Sequence, residues 1–174
     1  MASSSNIESL SFPQAISQTQ SLMELINSNK ISETETQQQV SSLLESKNGG
    51  RGFFVAYLTS DMSLADNPSP GIIDGLKAAQ EVASELLVKN LAMSSAMVVA
   101  HERNSDSESI AESEKVRRRT YNLIQKLNLQ SIKEKLQQLE STLKNGKGQY
   151  HDFLQRWDYD LEQKKAIQNT IKSL

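Results

Sequence analysis

Lys115-Val116-Arg117-Arg118-Arg119 is the densest run of charge in the chain. Clustered cations of this kind can hold phosphate, on nucleic acid or on an anionic lipid surface. On a helix its members point in different directions. Lys115, Arg119 and Lys126 share a face with Asn122, and Lys133 and Lys135 follow beyond a break. Lys115, Arg117, Arg118, Arg119 and Lys126 are therefore the candidate anion-binding set, within a basic stretch over 115–135. The competing expectation is a solvated or internally paired face. Glu114 stands four residues before Arg118, the spacing of a helical ion pair, and Arg119 can meet the acidic first half of the chain. Only Tyr121 places an aromatic ring in this run.

Other reactive chemistry is sparsely provided. There are two histidines, His101 and His151, far apart in sequence, and a zinc or di-metal site needs several ligands converging at set spacings. Glu81 and Glu85 share a helical face but have no Glu-x-x-His partner. Asp61 to Gly71 runs into a helix start, where free N–H groups can bind an anion. The glycine spacing of a phosphate-binding loop is missing there, and Asp61, Asp66 and Asp74 would repel phosphate. No serine sits in a nucleophile elbow. With no cysteine, disulfides, thiolate zinc sites and thiol nucleophiles are excluded, and a reducing compartment is suited. The sequence thus predicts no enzyme, no cofactor, no metal and no small-molecule substrate. One minor reading is a pocket lined by Phe53, Phe54, Tyr57 and Met97.

A second group of residues suits protein contact. Leu129, Ile132, Leu136, Leu139 and Leu143 are spaced 3, 4, 3 and 4, a heptad seam that a neighbouring helix or a second chain can fill as in a coiled coil. Beyond it lie Tyr150, Phe153, Trp157 and Tyr159, and tryptophan and tyrosine are favoured interface anchors. Leu136, Leu139, Leu143, Trp157 and Tyr159 are the candidate partner-binding residues, with Tyr159 the member expected at the surface.

Helices must position these groups. The pattern begins near Pro13, and Ser32 with Glu35 forms a capping box that opens a second helix. Phe53 to Leu58 fits a buried strand or a helical face. Helix is preferred, because a lone strand leaves its backbone unpaired. Ser60 to Gly71 is a loop. Ile72 to Arg103 is helical throughout, and at roughly 48 Å one helix of that length should bend near Asn90 or Ser94-Ser95. A helix over 106–127 is acidic at its start and basic at its end, matching the helix dipole. Ser131 and Glu134 suggest another capping box, and helices at 131–144 and 150–173 form an antiparallel hairpin.

Charge divides along the chain. Residues 1–114 carry 6 Lys+Arg against 15 Asp+Glu, and residues 115–174 carry 13 against 6, so a net charge of −2 conceals halves of −9 and +7. That asymmetry predicts an anionic partner for the basic half or docking of one half on the other. No uninterrupted apolar run reaches the roughly 20 residues that span a bilayer, and the first residues lack the basic and apolar regions of a signal peptide. The expectation is a soluble, cytoplasmic protein.

The stretch Ser84-Glu-Leu-Leu-Val-Lys-Asn-Leu-Ala-Met-Ser-Ser-Ala-Met-Val-Val-Ala-His-Glu-Arg-Asn104, together with Lys115-Val-Arg-Arg-Arg-Thr-Tyr-Asn-Leu-Ile-Gln-Lys-Leu127, resembles an uncharacterised helical family associated with cyanobacteria. The resemblance covers about half the chain and carries no activity or site residues. The hairpin beyond Leu127 lies outside it and reads as an appendage.

The sequence therefore predicts an all-α fold: a disordered N-terminus at 1–12, a helical bundle at 13–127 around one long central helix, and an antiparallel helical hairpin at 128–174 that can oligomerise. The leading functional expectation is a non-enzymatic interaction or scaffold protein that self-associates or binds a protein partner. The alternative is binding of nucleic acid or an anionic membrane through the basic half.

Overall fold

A computed structural model describes residues 10–174, and the expectation for residues 1–9 lies outside that range. Among the described residues the chain is all-α. Residues 10–12 depart from the expected disorder. Leu10 packs against the core, and Ser11 exchanges capping hydrogen bonds with Gln14 to start α1 (Phe12–Asn27). Ser32 and Glu35 form the expected capping box of α2 (Glu33–Leu43). Ser46 caps α3 (Lys47–Thr59), which takes the segment that strand and helix patterns had contested. Its Phe53, Phe54 and Tyr57 are fully buried, with Phe53 stacked on Tyr57 at 5.5 Å and edge-on to Phe54 at 5.2 Å. They form core; Met97 stands on an exposed face, so the four residues line no common pocket.

The expected 72–103 helix is two helices, α4 (Pro70–Ala78) and α5 (Gln80–Arg103), and the break falls at Ala79. Packing places it there. A Cβ on Gly75 would stand 2.6 Å from Val40 Cβ, so α4 lies directly on α2, and the chain must turn before α5 can enter the core. Asn90 and Ser94-Ser95 stay within continuous α5, and the serine hydroxyls are satisfied by the carbonyls of Asn90 and Leu91 at 2.7 Å each. α5 is the one helix among the described residues long and apolar enough to cross a membrane (mean hydropathy 1.3 over its best window), and most of that window is buried by the rest of the protein.

α6 (Ser107–Leu127) returns along α5. Asn128 takes a left-handed conformation (φ 46°) and ends it. α7 (Gln130–Asn145) then starts without a side-chain cap. The expected Ser131–Glu134 box does not form; the Ser131 hydroxyl instead meets that of Ser84 on α5 at 2.7 Å. The expected last helix is also two, α8 (His151–Trp157) and α9 (Leu161–Lys172), separated by left-handed Asp158 (φ 48°). Asp160 caps α9 and is held by Arg103 from the end of α5 at 2.5 and 3.1 Å; Arg103 also holds Glu162 at 2.6 Å. That fork ties the end of α5 to the start of α9.

One hydrophobic core unites all of this. It runs from Ala15, Leu22 and Met23 through Leu87 and Leu91 of α5 to Ile132, Leu139, Leu154 and Ile167. α7 and α9 pack more on α5 than on each other, and Ser95 bonds Thr170 at 2.9 Å while Gln163 bonds the Ala96 carbonyl at 3.3 Å. The seam leucines are thus spent within the chain, with Leu139 at 0% exposure. Leu139→Ala should lower the unfolding free energy by roughly 3 kcal/mol, with a thermal midpoint that does not depend on protein concentration. A midpoint that climbs with concentration would place Leu139 between chains instead.

Candidate binding groove

The cation run of α6 is largely committed to the acidic half. Arg119, almost fully buried, donates from Nε to Asp66 Oδ1 at 3.0 Å and from Nη2 to Asp66 Oδ2 at 3.1 Å. Its Nη1 donates to the carbonyls of Leu58 and Ser60 at 3.0 and 2.5 Å. Arg118 adds a bond to Asp66 at 3.1 Å, and Asn122 donates to the Asp66 carbonyl at 3.2 Å. Lys115 reaches the Thr59 carbonyl and the carboxylates of Asp61 and Glu112. Glu114 pairs with Arg117, at 3.8 Å, rather than with Arg118. Lys126 is exposed with no carboxylate in reach among the described residues. The predicted anion-binding residues therefore act mainly as a clasp on the loop after α3. The hydrogen bond from Arg119, aided by Arg118, holds the Asp66 carboxyl well below its ordinary range, at about 2.

The predicted partner-binding residues do not share one surface. Leu136 and Leu139 are buried against the core and Leu143 is half-buried. Tyr159 and Trp157 exchange the places expected of them: Tyr159 is 6% exposed and Trp157 is 48% exposed. The left-handed turn at Asp158 rotates the chain between them, and burial pushes the Tyr159 hydroxyl up to about 12.

Trp157 forms one wall of a groove of about 420 Å³ among four helices. α1 contributes Phe12, and α3 contributes Lys47, Arg51 and Val55 at successive turns. α5 contributes Leu86, Lys89, Asn90 and Met93, and α8 contributes Asp152, Phe153, Arg156 and Trp157. Val55 is 43% exposed; Met97, one turn beyond Met93 on the same stripe of α5, is 38% exposed. The Arg51 guanidinium lies over the Phe12 ring at 5.2 Å and the Lys89 ammonium lies 5.6 Å from the Phe153 centroid, so cations edge the apolar floor through cation–π contacts.

Beside the groove, Glu85 gathers Lys89 at 3.0 Å, Lys135 at 3.5 Å and the Tyr150 hydroxyl at 3.0 Å. Burial acts to raise the Glu85 carboxyl, and hydrogen bonds from Lys89 and Tyr150 with the charge of Lys135 outweigh it, leaving it below its ordinary range. Burial and the Glu85 charge push the Tyr150 hydroxyl up. This cluster is internally satisfied, whereas the groove is not. Lys47, Arg51 and Arg156 have no carboxylate within ion-pair distance among the described residues. Apolar floor, aromatic wall and open cations are groups suited to recognition. Sequence reading missed the groove because four separate segments build it. The available signal was the apolar arc of α5 that carries Leu86, Met93 and Met97.

The clasp generates a pH prediction. Folding lowers the Asp66 pKa from 3.8 to about 2, so its contribution is complete above about pH 4 and is lost as the pH falls through about 2. Asp66→Asn should reduce stability at neutral pH and flatten the acid limb between those values. Arg119→Leu should cost roughly 3 kcal/mol at neutral pH, since it strips donors from Asp66 and two carbonyls together. Urea titrations across pH 2 to 7 check both; an unchanged acid limb in Asp66→Asn would assign acid sensitivity to other carboxylates.

Comparison with known proteins places the chain in a family. No curated protein and no solved structure matches it significantly. A family profile does match, and it runs on through the helices beyond Leu127 that the sequence resemblance had left outside. Over residues 11–174 this chain belongs to the family described as uncharacterised conserved protein UCP020893.

Proposed function

We propose that this protein is a non-enzymatic interaction protein that binds a partner protein through the groove between α3, α5 and α8. The observation that carries this reading is the apolar floor left open beside a half-exposed Trp157. Elsewhere the chain buries its aromatic rings or pairs its arginines. Tryptophan and arginine lining a concave apolar patch are among the residue types that dominate interface energetics. Self-association through the leucine seam is less favoured, because Leu136 and Leu139 are already covered and opening the hairpin would uncover core. Nucleic acid or an anionic membrane at 115–135 is also less favoured. Four of the five α6 cations proposed for it already face carboxylates, and an anion would have to displace those contacts.

A photoreactive phenylalanine analogue placed at Trp157, and separately at exposed Lys30 and Lys133 outside the groove, tests this in cells. The expected result is a discrete protein adduct from position 157 and none of that mass from the other two. Equal labelling at all three, or none at 157, would overturn the reading. An adduct at twice the chain mass would make the occupant a second copy.

A further inference from the structure

Resting on that reading, we infer that the groove's partner is an acidic amphipathic helix of another protein, with aliphatic anchors on one face and Asp or Glu along its flanks. The chain has six arginines. Arg103, Arg117, Arg118 and Arg119 each hold a carboxylate. The two that hold none among the described residues, Arg51 and Arg156, both line this groove, and so does Lys47, which is likewise open. Asp152 is the sole acid of the lining, against Lys47, Arg51, Arg156 and a Lys89 already matched by Glu85. A guest carrying carboxylates completes what the fold completes for its other arginines, and guanidinium donors bond carboxylates in matched pairs.

The floor selects the guest's other face. Leu86, Asn90, Met93 and Met97 lie along α5 at spacings of 4, 3 and 4, one stripe about 16 Å long at 1.5 Å per residue. Three turns of a docked helix present anchors over that length, the helix-in-groove mode of recognition. Methionine and branched aliphatic side chains accommodate such anchors well. Trp157 is the one exposed ring of the lining, since Phe12 and Phe153 are half-buried and faced by Arg51 and Lys89, whereas single-strand binding stacks successive bases on several open rings. Open cations at the rim steer an acidic guest inward and make the affinity depend on salt.

The test uses three tryptophan-free synthetic helical peptides with one shared apolar face, their flanks filled with Glu, Gln or Lys. Trp157 is the sole tryptophan of the full-length chain, so its emission reports occupancy directly. The Glu peptide should give a saturable blue shift with a Kd at least tenfold below that of the Gln peptide, and the Lys peptide should give none. Arg51→Gln with Arg156→Gln, both at the surface, should abolish the preference for Glu over Gln, and Val55→Asp should weaken both peptides. Equal or tighter binding of the Gln peptide overturns the acidic preference. So does a Trp157 response to a single-stranded oligonucleotide or to phosphatidylglycerol vesicles at lower concentration than the Glu peptide requires. If no peptide binds while position 157 still cross-links a protein, the acidic-helix inference fails and the interaction reading stands. If neither occurs, both fail.

Discussion

The burial of α5 is the constraint on which the rest of the structure depends. Its apolar residues are spread around most of the helix rather than gathered in one stripe: Ala83, Leu87, Val88, Leu91, Ala92, Ala96 and Val98 are all buried. A helix apolar on so much of its surface must be surrounded. α6 covers one side, α7 and α9 another, and α3 a third. Small residues make the fit close, since Ser84 and Ser95 let Ser131 and Thr170 bond across the contacts at 2.7 and 2.9 Å. The groove follows from the same requirement. Leu86, Met93 and Met97 form the arc that these neighbours leave incompletely covered, and α8 stops at Trp157 without closing over it.

Charge is arranged around that core in two ways. The acidic loop after α3 is clasped by the basic helix α6, and the Arg119–Asp66 pair fixes where α3 ends relative to α6. Much of the opposite charge of the two halves is therefore consumed within the molecule. The Arg103 fork performs a similar task between α5 and the start of α9, bonding Asp160 and Glu162, and its hydrogen bonds hold the Asp160 carboxyl near 2. The fork sits beside the turn at Asp158 that parts core-facing Tyr159 from groove-facing Trp157.

Local chemistry was legible in the sequence wherever neighbours in the chain settle it. The Ser32–Glu35 box and the end of the 106–127 helix involve residues a few positions apart. The helical state of Phe53 to Leu58 followed from the want of strands to pair with. Long-range packing decided the misses. Ala79 breaks the helix because Gly75 seats α4 on Val40, 35 residues earlier. Ser131 abandons its cap for Ser84, which lies 47 residues away. Tyr159 was assigned to the surface by extending one helical phase through Asp158, where the backbone leaves the helix. The groove was illegible for the same reason, since no segment of the chain contains more than a third of its walls.

The order in which the core is completed has a consequence during synthesis. α5 leaves the ribosome before α6, α7 and α9, and the last of its covering contacts come from Gln163 and Thr170. α9 begins 58 positions after Arg103, and at typical elongation rates of about 5–20 residues per second the wait is roughly 3–12 s. For that interval the nascent chain carries its long central helix without its final cover. Apolar surface in that state is open to non-native contact, and any slowing of translation over 104–160 lengthens its exposure.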